Sequence, residues 1–172
     1  FLVDTSFVNI LNTDLYTLRK KDLADFNSTD VNKLELEFSN KLIVCSKDTS
    51  GTWMVIKPEP RKAKSWEISS ITRKAAQLEV VKFVDDQPSS LAMYGLDSPS
   101  VKARFYKDDS LLLDVLLGKR VGDDVYAKLA GKSSVYLIEK EVLEIWTPNF
   151  KDISEEPKPS NVEATEQASL NN

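Results

Sequence analysis

The chain has 172 residues, 41% hydrophobic and 29% charged, which suits one globular domain whose core needs neither disulfide nor metal. Its net charge of −4 gathers beyond Ser154, where Glu155, Glu156, Glu163 and Glu166 face Lys158 alone, so the body is nearly neutral and no nucleic-acid or acidic-substrate partner is expected. With no histidine and one cysteine, the composition excludes Ser-His and Cys-His nucleophile pairs, histidine bases, histidine or multi-cysteine metal sites and an intramolecular disulfide.

The chain begins at Phe1 rather than Met, which leads to the expectation of a processed or trimmed product from which a signal peptide or anchor helix could have been removed. Within it no apolar run reaches the roughly 20 residues that span a bilayer. Residues 1–14 show no clear period and read as a lead-in, with Phe7, Val8, Ile10 and Leu11 docked on the body. Leu15 to Arg19 predicts a short strand, and KKDLADF one helical turn burying Leu23 and Phe26, before the turn formers Asn27 to Asp30.

From Val31 to Phe38, Leu34, Leu36 and Phe38 alternate with Lys33, Glu35 and Glu37, the period of a strand with one wet face. Ser39 and Asn40 turn the chain into a second strand, Lys41 to Ser46, in which Leu42 and Val44 alternate with Lys41 and Ile43. After a turn at Asp48 to Gly51, Trp53 to Ile56 complete an antiparallel meander that Pro58 and Pro60 end. A helix is predicted from Ser65, read as its N-cap, to Leu78, burying Ile68, Ile71, Ala75 and Leu78 and turning Arg73, Lys74 and Gln77 outward. The β-branched EVVKFV that follows reads as extended, ending at Asp85 and Asp86.

The stretch Leu91 to Pro99, LAMYGLDSP, specifies a stop and a turn. Pro88, Ser89 and Ser90 start one helical turn, Leu91 with Met93 or Tyr94 covers apolar neighbours, and Gly95 supplies the positive φ that closes it. Pro99 then pushes Ser98 into an extended shape leading to the next strand. The second half repeats the plan: strands Val101 to Tyr106, Leu111 to Leu117, Val125 to Leu129 and Val135 to Ile138, with a wide turn at Gly118 to Asp124, then a short helix from Lys140 to Trp146. Residues 154–172 hold little to bury and read as a disordered acidic tail or linker. The expected fold is therefore α+β, a mostly antiparallel sheet from two meander-plus-helix halves, about 15–87 and 88–153, with helices on one side.

The run YGLDSP, preceded by FVDD and followed by LLGKR, VYAKL and VYLI, resembles the bacterial DUF4340 family of uncharacterised domains. Upstream LYTLRKKDLADF, DVNKLELEF and GTWMVIKP fit the same order, so the resemblance covers roughly residues 15–153. It implies an extracytoplasmic, membrane-tethered protein, some relatives being auxiliary to gliding-motility-type ABC transporters. Protein partners in the cell envelope follow from it, with tethering through a segment absent from this chain. It implies no catalytic residue and no cofactor. Tyr94, Gly95, Leu96, Asp97 and Pro99 are its motif turn.

Three acidic pairs, Asp85 with Asp86, Asp108 with Asp109 and Asp123 with Asp124, could ligate calcium or divide acid and base roles in glycoside cleavage if two converged. All fall at strand ends, where aspartate is favoured by its own local hydrogen bonds. LLGKRVGDD lacks phosphate-loop order and reads as a hairpin. Cys45 lies within a strand and reads as structural. The candidate interaction surface is the basic group Arg61, Lys62, Lys64, Arg73 and Lys74 around Trp66, which suits anionic partners or is a solvated helix face balanced by Glu59, Glu67 and Glu79. The expectation is a non-catalytic interaction module of an envelope or transporter-associated assembly. The alternative is a small-ligand or glycan-binding domain, extending to a hydrolase using paired aspartates.

Overall fold

Nine antiparallel strands form one sheet in the computed structural model, which describes residues 21–156. The strands are β1 (Lys33–Phe38), β2 (Lys41–Lys47), β3 (Trp53–Lys57), β4 (Arg61–Lys62), β5 (Lys82–Asp85), β6 (Val101–Lys107), β7 (Ser110–Val121), β8 (Asp124–Leu129) and β9 (Val135–Glu139). Their order across the sheet is β4-β3-β2-β1-β6-β7-β8-β9-β5. Two meanders, β1 to β4 and β6 to β9, thus run outward from a central seam where β1 pairs with β6. Each meander is followed by a helix, α1 (Ser65–Ala76) after the first and α2 (Glu141–Trp146) after the second, as the repeated plan predicts. A further short helix, α3 (Phe150–Ile153), comes after α2. No helix among the described residues is long and apolar enough to cross a membrane.

Period-two alternation decides which side of the sheet the helices cover. Leu34 lies opposite both Cys45 and Phe105, and Leu36 opposite both Ile43 and Ala103, so all six project to one face. There they meet Ile68, Ile71 and Ala75 of α1, Val142 and Trp146 of α2, and Ile153 of α3, with the Phe105 and Trp146 rings 5.4 Å apart. Burying each such side chain contributes roughly 1.5–3 kcal/mol, so this face supplies most of the hydrophobic stabilisation.

Several expectations are corrected. In β2 the core face carries Ile43 and Cys45, whereas Leu42 is exposed beside Glu37, because pairing with β1 and not local apolarity sets the face. The KKDLADF turn is absent over residues 21–26, which run extended beside residues 78–80 through an Asp22 to Glu79 bridge and the Leu23 to Leu78 hydrogen bond. Ser65 is the first helical residue of α1, and Lys64 holds the N-cap position without a side-chain cap. The extended segment after α1 does not stay with the first meander; β5 crosses to pair with β9 at the far edge. Strand β7 continues through Gly118 to Val121, where a wide turn is expected. Ser154 is buried and Glu155 donates its N–H to Lys62 O, so the start of the expected tail lies along β4. The expected lead-in over 1–14, the strand over 15–19 and the tail from 157 onward lie outside the described residues.

Candidate functional site

The motif turn closes as its residues predict. Ala92 to Tyr94 make one 3-10 turn, and Gly95 at φ 68° donates its N–H to Ala92 O. This connector lies on the face opposite the helices. Tyr94 and Leu96 pack with Val135, and Val84, Leu91, Leu116 and Tyr126 join them. The Tyr94 and Tyr126 rings meet edge-on at 5.0 Å. Tyr94, not Met93, is the covering side chain, and its hydroxyl donates to Asp85 Oδ2 at 3.0 Å. Burial, with that carboxylate beside it, raises the phenol's pKa.

Two sequence motifs remote from each other meet here. A Cβ on Gly118 would overlap the Tyr94 carbonyl oxygen, so only glycine lets the connector approach β7 this closely. Lys119 Nζ donates to Ala92 O at 3.0 Å, and Ser100 Oγ to Leu117 O and Gly118 O at 3.1 Å each. Asp97 and Pro99 continue the turn into β6, beside the Ser39 to Asn40 hairpin. Tyr94, Gly95 and Leu96 therefore pack directly on the sheet, and Asp97 and Pro99 lead from them into β6.

The basic group does not form one patch. Arg61 pairs with Glu59, Lys62 with Glu155 at 3.1 Å, and Lys64 Nζ donates to Lys151 O at 3.1 Å. Lys74 bridges to Glu139 at 2.8 Å, across α1 from that cluster, and Arg73 stands exposed on the helix. Trp66 is 64% exposed, its indole N–H donating to Glu67 Oε1 at 3.0 Å. Three of the five cations thus face carboxylates and Lys64 faces a carbonyl, so the group is split along α1 and partly paired.

The acidic pairs serve their turns. Asp85 Oδ1 accepts from Gln87 N, Asp86 Oδ1 from Ser134 Oγ, Asp108 N–H reaches Asn32 Oδ1, and Asp123 pairs with Lys140. The Asp108 and Asp123 pairs sit at opposite ends of β7, whose length sets them roughly 35 Å apart. Among the described residues no three histidine, cysteine, aspartate or glutamate side chains gather as a metal site would require. Cys45 is fully buried, and burial pushes its thiol up to about 12, which suits a structural residue.

The arrangement that sequence reasoning missed is an ionic ladder across the seam, on the face opposite the helices. Register places Glu35 beside Arg104 and Arg104 beside Asp114, and one row back Glu37 beside Lys102. Arg104 reaches Glu35 Oε2 and Asp114 Oδ2 at 3.4 Å each, Lys33 reaches Glu35 Oε1 at 2.8 Å, and Lys102 reaches Glu37 Oε1 at 3.1 Å. Tyr106 donates to Glu35 Oε2 at 3.3 Å. Burial raises the Glu35 carboxyl, but hydrogen bonds from Lys33, Tyr106 and Arg104 outweigh it and hold the group below the usual range. Burial also works against the Arg104 cation, and Asp114, Tyr106 and Glu35 overcome it. One atom is left over: Asp114 Oδ1 is buried and has no hydrogen-bond donor among the described residues. The alternation of charge in β1 and β6 was the available signal, and only the pairing of these strands turns it into a ladder.

A family model described as a domain of unknown function, DUF4340, matches residues 53–164. No curated protein and no solved structure matches the chain.

Proposed function

The chain belongs to the DUF4340 family, and from that premise we propose that it is a non-catalytic interaction module serving an envelope or transporter-associated assembly on the extracytoplasmic side. Its partners are envelope proteins. The observation that carries this reading is the ladder itself, in which Lys33, Glu37, Lys102 and Arg104 are each more than a third exposed and yet held in register on the helix-free face. It offers a partner both signs of charge, fixing register more than adding affinity.

The test is affinity isolation of the full-length protein from native envelopes, with Asp114→Asn and Arg104→Glu alongside. One discrete protein should be retained by the wild type and depleted about ten-fold in both folded variants, a loss equivalent to about 1.4 kcal/mol. Equal retention by all three would count against the reading, and a melting temperature raised by sugar or metal would favour a ligand-binding domain instead.

A further inference from the structure

Backbone from outside the nine strands meets both ends of the sheet. At β4, Glu155 donates its N–H to Lys62 O and Ser154 bridges to Ala63. At the other end β5 is the last strand among the described residues, and the stretch leading into it carries residues 21–23 on its outer side. Val80 donates outward to Lys21 O and Leu23 donates to Leu78 O, whereas Val81 donates inward to Leu137 O of β9, each at 2.8 Å. Backbone groups alternate sides along a strand, so the next outward amide is that of Lys82. The Asp22 to Glu79 bridge is antiparallel, so each residue back from Asp22 falls opposite one residue further along β5. That register sets Lys20 opposite Val81, Arg19 opposite Lys82, Leu18 opposite Phe83 and Tyr16 opposite Asp85.

We infer that residues 15–20 run along the outer edge of β5 as a tenth strand, a strap of this chain that closes the sheet there. Residues 21–23 already have the direction and the pairing of such a strand. Six extended residues reach about 20 Å, enough to run from Val81 past Asp85. The alternation in LYTLRK fits the two faces: Leu18 falls beside Phe83, whose ring meets Tyr136 edge-on at 5.8 Å, and Thr17 and Arg19 fall on the opposite face with Lys82. A bare edge strand invites pairing with another chain, and a strap from the same chain removes that hazard. The strap ends beside Asp85, which holds the Tyr94 hydroxyl, and so ties the start of the chain to the motif turn. The inference goes beyond the contact reading and does not rest on it.

Amide hydrogen exchange of the full-length protein, read residue by residue by NMR, tests the strap. In the wild type the Lys82 amide should exchange slowly, with Arg19 O as its acceptor. Lys21 O and Leu23 N–H both point toward residues 78–80, so in the inferred register the Arg19 N–H points to β5 and the Lys20 N–H away from it. Arg19→Pro removes a ladder donor and should speed exchange at Lys82 about ten-fold, equivalent to about 1.4 kcal/mol. Lys20→Pro should leave Lys82 protected. Unchanged protection of Leu36, in the central β1, shows that each variant is folded. A Lys82 amide that exchanges freely in the wild type overturns the inference, and so does protection that survives Arg19→Pro. Equal acceleration by the two prolines overturns the register and the strap with it. No outcome involves an envelope partner, so the contact reading stands or falls on its own isolation test.

Discussion

The two halves of the sheet share a plan and differ on one face. Over the second meander, the side away from the helices is sealed by the connector, with Tyr94 and Leu96 seated against Val135, Leu116 and Tyr126. At the seam with the first meander, the same side is paved with Lys33, Glu35, Glu37, Lys102, Arg104 and Asp114. The sealed region is held by shape, since a glycine in β7 admits a carbonyl and a tyrosine fills the space beside it. The paved region is held by charge, and charges half open to water contribute little to stability. A face that adds little to folding yet arranges six side chains in register is where the proposed contact with another molecule is placed.

Breaking the sealed region should have the largest effect. Gly118→Ala drives a methyl group into the Tyr94 carbonyl, and a strain of this kind costs about 3 kcal/mol, which thermal denaturation should register as a fall of roughly 10 °C. A change under 1 °C would mean that the connector is not clamped there. Next comes Tyr94→Phe, which keeps the ring and deletes the bond to Asp85. A loss of about 1 kcal/mol is expected by urea denaturation, with the native fold unchanged by circular dichroism. The smallest effect belongs to the paved region. Glu35→Gln should change stability at neutral pH by less than about 1 kcal/mol.

Acid sharpens the same contrast. Because the Glu35 carboxyl is held below its ordinary value of 4.5, its contribution is fully present above that value and is lost as pH falls through the lower folded value. Urea melts of the wild type and Glu35→Gln should therefore differ at pH 6 and converge toward pH 3. Parallel curves across that range would show that the carboxylate is not stabilised by its neighbours.

How much of this was legible depended on whether the deciding contact was local. The alternation in β1, the buried stripe of α1 and the glycine stop at Gly95 each follow from a few neighbouring residues, and all three stand in the fold. In β2, Leu42, Ile43, Val44 and Cys45 are all apolar, so periodicity could not choose a face; pairing with Leu34 and Leu36 did. Gly118 read as a loop residue because its reason lies in Tyr94, distant in the chain and touching only through the fold. The destination of β5 was equally hidden, since EVVKFV specifies an extended strand and not its partner. For the sites, the basic run near Trp66 was visible, but its partners Glu155, Glu139 and the Lys151 carbonyl come from beyond β9 or its end. The ladder joins Glu35, Arg104 and Asp114, and it does not exist until the chain has folded back on itself.

The most direct measurement is site-specific photo-crosslinking in native cells, with the reactive group placed in the full-length protein at Lys102 on the paved face or at Ala92 on the connector. Contact through the paved face predicts one discrete protein adduct from Lys102 that disappears with Asp114→Asn, and none from Ala92. Adducts from Ala92 alone, or adducts from Lys102 that ignore the Asp114 substitution, would contradict it.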